Sequence, residues 1–244
     1  MTDASPLKTA LRGLAATAVV GGALGLSACS DSGSGDGSGT LSLGVTDAPV
    51  DSAEEVWIRF DSVEIKPAGE DAQWQTFNFD SPKKIDLLAY QGDKSAKLLD
   101  GVEVAAGDYA QIRLTGDQGQ AGESTVVMET GDKHALFIPS FKQTGLKLTK
   151  GFTVPENGDA DYTLDFDLKK SLQKTGEGRY ILRPTVRLVD NTEVGHIAAE
   201  VDGMGNCPKG ANDGPAIYVF ESSDVTADDV DGNEAEPVTT ARLK

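Results

Sequence analysis

Residues 161–168, Asp-Tyr-Thr-Leu-Asp-Phe-Asp-Leu, alternate strictly between polar and apolar side chains. Successive side chains of a β-strand point to opposite faces of its sheet, so this pattern predicts a strand that is buried on one face. The apolar set is Tyr162, Leu164, Phe166 and Leu168, and the polar set is Asp161, Thr163, Asp165 and Asp167. We therefore expect the four apolar side chains to be buried together.

A second alternating stretch follows at residues 179–189, interrupted by Pro184, which demands a sheet edge or a bulge. If the two stretches pair, the aspartates of the first face Arg183 and Arg187 of the second. Cross-strand pairs of this kind stabilise a sheet by about a few tenths of a kcal/mol each. We therefore interpret these charges as setting the register of the sheet and not as a functional site.

The pattern of the other residues between 41 and 190 predicts short strands about ten residues apart. The predicted strands cover residues 41–46, 56–65, 74–79, 107–115, 126–129, 135–138 and 146–154, and residues 84–90 fit a strand end or one helical turn. The apolar residues stand at even positions up to Phe60 and at odd positions from Val63, so one extra residue near Asp61-Ser62 is needed to keep them on one face, which predicts a bulge. A weak helical pattern is present only at residues 171–178 and at the start of the stretch 84–90. This pattern predicts an all-β fold, an antiparallel β-sandwich.

Several blocks of this region, in order, resemble the DUF4382 family of exported and often lipid-anchored proteins. The blocks are Val45-Thr46-Asp47-Ala48-Pro49-Val50, Val56-Trp57-Ile58, Val63-Glu64-Ile65, Trp74, Asp86-Leu87-Leu88, residues 107–114 (Gly-Asp-Tyr-Ala-Gln-Ile-Arg-Leu) and Leu182-Arg183-Pro184. The resemblance spans about residues 40–190. It implies a β-sandwich outside the cytoplasm, and it implies no activity and no catalytic residues.

A second, smaller β unit is expected at residues 195–244. Residues 197–201 and 216–220 read as strands, and the unit resembles the start of an Ig-like or transthyretin-like module. Such modules need about 70–100 residues, so we interpret this one as incomplete. Limited proteolysis is expected to cut first at residues 189–196 or 222–237.

The N-terminus has the three parts of an export signal over residues 1–28. Lys8 and Arg12 precede an apolar run of 13 residues, 14–26, which is too short to cross a bilayer as a helix. Leu26-Ser27-Ala28-Cys29 resembles the lipobox of bacterial lipoproteins, which implies cleavage before Cys29 and attachment of lipid to its thiol. The alternative is an ordinary secretory signal whose cleavage site happens to precede a cysteine.

Residues 29–40, which follow, are rich in Gly and Ser and predict a flexible tether. The sequence thus predicts a protein held by lipid on the outer side of a membrane in the cell envelope. Ser30 favours the outer membrane if the source is Gram-negative.

The chain carries 22 basic and 39 acidic residues, a net charge of −17. Such a charge repels nucleic acid and anionic lipid head groups, so neither is expected as a partner. The chain has two cysteines, and once Cys29 carries lipid, Cys207 has no partner within the chain.

The motifs of the common catalytic and zinc sites, GxSxG, HExxH and CxxC, are absent from the sequence. Both histidines, His134 and His196, are interpreted as surface or edge residues. An acidic loop, Asp228, Asp229, Asp231, Asn233 and Glu234, does not fit the EF-hand spacing; a solvated loop is the simpler interpretation and Ca²⁺ the alternative. A second acidic cluster comprises Asp47, Asp51, Glu54 and Glu55, in which Asp47 is expected to cap backbone amides. No other cofactor is expected.

Two tryptophans, Trp57 and Trp74, are the candidates for a sugar-binding platform. The alternative for Trp57, which we favour, is that both faces of its sheet are buried and that it belongs to the core. Together the observations predict a non-catalytic binding or structural module with a glycan or envelope protein as partner. A polysaccharide-active enzyme with paired carboxylates is the alternative function.

Overall fold

The structure, a computed structural model, describes residues 37–47, 53–116, 123–195, 197–198, 200, 216–224 and 237–242. The export signal, Cys29 and the acidic loop at residues 228–234 lie outside the described residues. Among the described residues, no helix is long and apolar enough to cross a membrane.

Fifteen strands and three short helical segments make up the described part of the chain. The strands are β1 Ser38–Asp47, β2 Ala53–Pro67, β3 Gln75–Asp86, β4 Ala96–Ala105, β5 Gly107–Thr115, β6 Thr125–Met128, β7 Lys133–Phe137, β8 Leu146–Leu148, β9 Phe152–Val154, β10 Asp159–Phe166, β11 Leu172–Lys174, β12 Tyr180–Leu182, β13 Val186–Asp190, β14 Ala216–Val219 and β15 Thr239–Arg242. The helical segments are a 3-10 turn at Leu87–Ala89, α1 Phe141–Thr144 and α2 Leu168–Ser171.

Strands β1 to β13 form a sandwich of two sheets around one hydrophobic core, which confirms the predicted all-β fold. The smaller sheet has the order β13-β10-β1-β4. The larger sheet has the order β11-β12-β7-β6-β2-β5-β8, with β3 also paired to β2 and β9 to β5. Most pairings are antiparallel as expected, but β1 pairs with β10, and β7 with β12, in parallel.

The stretch 161–168 behaves as its alternation predicts. Its residues 161–166 lie in β10, and Tyr162, Leu164, Phe166 and Leu168 are all buried, with at most 8% of each residue exposed. β10 lies between β1 and β13 in the smaller sheet. Its partner β1 begins at Ser38, three residues earlier than predicted, because Ser38 and Gly39 already pair with β4. The C-terminal end of the predicted tether is therefore strand.

The larger sheet is organised around β2, which has 15 residues. Along one edge β2 pairs with β3, and along the other it pairs first with β6 and then with β5. The register shifts between Phe60 and Ser62, which confirms the predicted bulge. Before the bulge Ile58 faces the core, and after it Val63 does, so a single long strand keeps an apolar face inward along its whole length.

The interpretation of residues 179–189 as one strand beside β10 is wrong. Pro184 separates β12, which joins the larger sheet, from β13, which pairs with β10. The expected pair of Asp165 and Arg187 is present at 2.6 Å. Asp167 instead accepts a hydrogen bond from the Lys170 amide at the start of α2. The weak helix expected at residues 171–178 is wrong, because α2 ends at Ser171 and is followed by β11 and a turn.

Near the C-terminus, β14 and β15 pair as an antiparallel two-stranded sheet, which confirms the strand expected at residues 216–220. The strand expected at residues 197–201 is wrong for its described residues: Ile197, Ala198 and Glu200 lie outside any strand. Ile197 is 76% exposed, so it lacks the burial that would stabilise a strand there.

Candidate binding surface on the outer face of the larger sheet

The larger sheet turns one face to the core and the other away from it, and we call the second its outer face. Because side chains alternate along β2, Trp57 and Glu64 point outward where Ile58 and Val63 point inward. Both candidate tryptophans belong to this outer face and both are half-buried. The interpretation of Trp57 as a core residue is therefore wrong.

Trp57 lies beside two carboxylates and beneath a lysine. Its indole Nε1 donates a hydrogen bond to Glu55 Oε2 at 2.7 Å. Asp86 of β3 lies opposite Trp57 in the register. Lys84 Nζ lies 5.7 Å from the centroid of the indole, at the outer limit of a cation–π contact. The Lys84 residue is itself exposed.

Asp86 lies beside Trp57 and also stabilises the backbone around it. Its Oδ1 accepts hydrogen bonds from the amides of Val56 at 2.9 Å and Leu88 at 3.2 Å, which fixes the 3-10 turn to β2. Burial raises the pKa of Asp86, the two amide hydrogen bonds oppose that rise, and the nearby charge of Glu55 adds to it. Two carboxylates of different environment thus lie near one indole ring.

The outer face continues from Trp57 across two further strands. Trp57 pairs with Thr125 of β6, and Thr125 pairs with Ala135 of β7. Phe137, two residues along β7 on the same side, is 44% exposed, an unusual position for a phenylalanine. Thr125 is 2% exposed, and its Oγ1 has no hydrogen-bond partner among the described residues. Sequence reasoning missed both, although the burial of Leu136 and Ile138 follows the alternation that places Phe137 outside.

Trp74, just before β3, has a more rigid environment. The guanidinium carbon of Arg113 lies 4.3 Å from the centroid of the indole. Arg113 Nε also donates to Glu64 Oε2 across the β2–β5 pair, and only 14% of the Glu64 side chain is exposed. Thr76 Oγ1 donates to the second oxygen of Glu64 at 3.4 Å. One face of Trp74 is therefore occupied by a held arginine.

Gly145, which ends α1, makes room for this arginine. Its φ of 64° lies in the left-handed region that favours glycine. A Cβ at this position would lie 2.6 Å from Arg113 Cγ and 2.7 Å from the Leu114 carbonyl oxygen. The side chain of Arg113 is thus held between an indole ring and a glycine backbone.

The two tryptophans do not form one platform. Trp74 precedes Gln75, which pairs with Ile65, so Trp74 lies level with Lys66 of β2. Nine residues separate that level from Trp57, which is about 30 Å along an extended strand. The structure therefore divides the predicted platform into two separate sites of different character.

The remaining candidates are structural or lie elsewhere. Asp47 is buried and its Oδ1 accepts from the Leu168 amide at 3.2 Å, so it does bind a backbone amide, although that amide belongs to α2 and not to the turn after Asp47. The ring of His134, which is half-buried, packs 4.8 Å from that of Tyr180. Within the described ranges, no group of three or more His, Cys, Asp or Glu side chains could hold a metal ion.

One family matches the sequence, described as "Domain of unknown function (DUF4382)", over residues 38–184. These residues run from the start of β1 to just after β12, and they include both tryptophans and every strand of the larger sheet. No curated protein and no solved structure was found to match the chain.

Proposed function

The chain belongs to the DUF4382 family, and on that premise we propose that it is a lipid-anchored module of the cell envelope that binds its partner without catalysis. The lipobox-like Leu26-Ser27-Ala28-Cys29 and the Gly/Ser-rich tether support the anchor. Two or three acyl chains, at about 0.8 kcal/mol for each buried CH₂, hold a protein to a bilayer firmly.

The composition of the outer face of the larger sheet is the observation that supports the binding role. It presents a half-buried indole beside polar side chains and an exposed Phe137, and the opposite face of the same sheet contributes to the core. A broad sheet face held rigid by a packed core is suited to recognise an extended partner.

The carboxylates near Trp57 are the observation that favours the alternative enzyme. Burial raises the pKa of Asp86, Glu55 lies near it, and acid–base catalysis uses neighbouring carboxylates in different environments. Against catalysis, Asp86 is already held by two backbone amides as the cap of the 3-10 turn. We therefore assign these groups to ligand contact and structure.

The anchor is tested by comparing the full-length protein with two matched cysteine variants in a bacterial host. We expect the wild type and Cys207→Ser in the membrane fraction, with an intact mass that shows cleavage before Cys29 and added acyl chains. Cys29→Ser should leave the membrane fraction and lose that mass. Retention of Cys29→Ser on membranes, or an unmodified N-terminus in the wild type, would contradict the proposal.

The binding role is tested by incubating the lipid-free Cys29→Ser protein with isolated envelope material and measuring the fraction that co-sediments. Saturable binding without release of soluble sugar or peptide is the expected result. Turnover of the material, or no binding at all, argues against a non-catalytic binding module.

A further inference from the structure

We infer that Lys83 and Lys150 keep the protein from pairing with a second copy of itself along the two open edges of the smaller sheet. The inference concerns self-association and is independent of the proposed binding function.

The smaller sheet ends in β4 on one side and in β13 on the other. Within the described ranges, β4 pairs with β1 alone and β13 with β10 alone, so each leaves one row of backbone groups outside the ladder. Such an edge is a template for a strand of another chain, and soluble β proteins protect their edges against this pairing.

The larger sheet protects its edges by short strands and by proline. Its edge strands β11, β8 and β9 have three residues each, and the long edge strand β3 contains Pro82, which has no amide hydrogen to donate. In the smaller sheet β4 has ten residues and β13 has five, and neither contains proline. The smaller sheet therefore needs another form of protection.

Lys83 of β3 closes the β4 edge. Its Nζ donates hydrogen bonds to the carbonyl oxygens of Lys97 and Leu98, both at 2.9 Å. The register between β1 and β4 passes from Leu99 to Lys97 and skips Leu98, which marks a bulge in β4. Two consecutive carbonyls thus bind one ammonium group, and a cation–π contact with Phe79, at 4.8 Å from the ring centroid, helps to position it.

Lys150, in the connection between β8 and β9, lies at the opposite edge. Its Nζ donates a hydrogen bond to the carbonyl oxygen of Leu188 on β13 at 3.0 Å. A lysine from outside the smaller sheet therefore binds backbone carbonyls at each of its two edges. A strand of a second copy would have to displace an ammonium group before its own amides could reach these carbonyls.

The same hydrogen bonds also join the two sheets of the sandwich, so loss of either lysine should lower the stability of the fold. Self-association separates the two roles. A role in stability alone would lower the free energy of unfolding and leave the protein monomeric, whereas opening an edge should let folded copies pair.

The test measures the molar mass of the lipid-free Cys29→Ser protein by analytical ultracentrifugation over a range of concentrations. Lys83→Met and Lys150→Met keep an apolar stem and remove the donors. Each substitution makes the net charge of −17 one unit more negative, which increases the repulsion between copies. Association of these variants would therefore occur against the change in charge, and high salt, which screens the repulsion, should strengthen it.

We expect the protein with both lysines to be monomeric and each single variant to form dimers, with self-association at least about tenfold tighter. One open edge closes on itself in a symmetric dimer, so the double variant, with two open edges, should form larger oligomers. Lys83→Arg and Lys150→Arg keep donors at the edges and should stay monomeric.

Lys84→Met and Lys147→Met are the matched controls and should stay monomeric. They remove the same charge, and their exposed side chains alternate with buried neighbours, so they point away from the smaller sheet. Circular dichroism establishes that each variant is folded. Hydrogen exchange then locates the contact, because amides of β4 in Lys83→Met and of β13 in Lys150→Met should gain protection in the dimer.

Several outcomes would overturn the inference. They are folded Lys83→Met and Lys150→Met proteins that stay monomeric in high salt, equal association of the two control variants, or protection that is confined to other strands. Pairing of the unsubstituted protein through β4 would show that Lys83 does not close this edge. Lys150→Met removes a single hydrogen bond of an exposed lysine, so it provides the test if Lys83→Met does not fold.

Discussion

Trp57 and Trp74 lie on the same face of the same sheet, yet their surroundings differ in one respect that decides their roles. Trp74 is covered by Arg113, which an ion pair and a close glycine hold in place. Trp57 lies beneath the exposed Lys84 at the longer distance of 5.7 Å, and its indole donates a hydrogen bond to its near neighbour Glu55. The cation beside Trp74 is half-buried and ion-paired and the cation beside Trp57 is exposed, so we expect the first to stabilise the fold more than the second.

The largest expected effect on stability is that of Gly145→Ala, which disturbs the arginine beside Trp74. Gly145→Ala adds a Cβ that would lie 2.6 Å from Arg113 Cγ and strains a φ of 64°. We expect a loss of about 2–3 kcal/mol in the free energy of unfolding, measured by urea denaturation. Gly178→Ala is the control, because its φ of 77° is also positive but nothing lies within 4 Å. It should lose only about 1 kcal/mol. Equal losses in the two variants would mean that the space beside Arg113 is not needed.

A matched pair of substitutions removes the cation from each tryptophan. Arg113→Met should cost about 1–2 kcal/mol, because it also leaves the partly buried Glu64 carboxylate without its ion-pair partner. Lys84→Met should cost less than about 0.5 kcal/mol, since an exposed lysine contributes little. Thermal or urea unfolding measures both, and equal costs would remove the distinction between a half-buried and an exposed cation.

The smallest expected effect is a dependence of the free energy of unfolding on pH, caused by Asp86 beside Trp57. The folded-state pKa of Asp86 is raised above its ordinary 3.8, so the folded state binds this proton more tightly than the unfolded state does. The stability contribution of Asp86 is therefore full below pH 3.8 and is lost as the pH rises through the raised pKa. Asp86→Asn keeps an acceptor oxygen for the two amides and should flatten this part of the stability–pH curve.

For a half-exposed carboxyl this difference is under about 1 kcal/mol. The Trp74→Phe variant, in which Trp57 is the one remaining tryptophan, offers a second measurement. Its emission should titrate with a midpoint above 3.8, and Asp86→Asn should abolish that transition. An unchanged stability–pH curve in Asp86→Asn would show that this carboxyl does not titrate in the window.

Much of the fold follows from local alternation. The buried face of β10, the bulge in β2 and the β6–β7 hairpin can all be predicted from residues that are close in the chain. β4 was missed, because Asp100-Gly101 interrupts its alternation and suggests a turn. Pairing between strands that are far apart in sequence could not be predicted either. Nothing in residues 180–182 indicates that β12 pairs with β7 in parallel while β13 pairs with β10.

The candidate site was predictable only in part. Alternation against Ile58 places Trp57 on the outer face, but whether that face is covered depends on the rest of the sandwich. The contacts that separate the tryptophans join residues far apart in sequence, as Glu64 and Arg113 do. Their meeting follows from the β2–β5 register, which a single sequence does not reveal.

The parallel pairing of β1 with β10 has a consequence for the time course of folding. Thr40 pairs with Asp159, so the first strand of the sandwich cannot complete the smaller sheet until about 120 further residues have been made. Contacts between such distant residues form slowly, since a long loop must close before they stabilise anything. The nascent chain therefore stays without its final sheet through most of synthesis, which would keep it unfolded for the export that we propose.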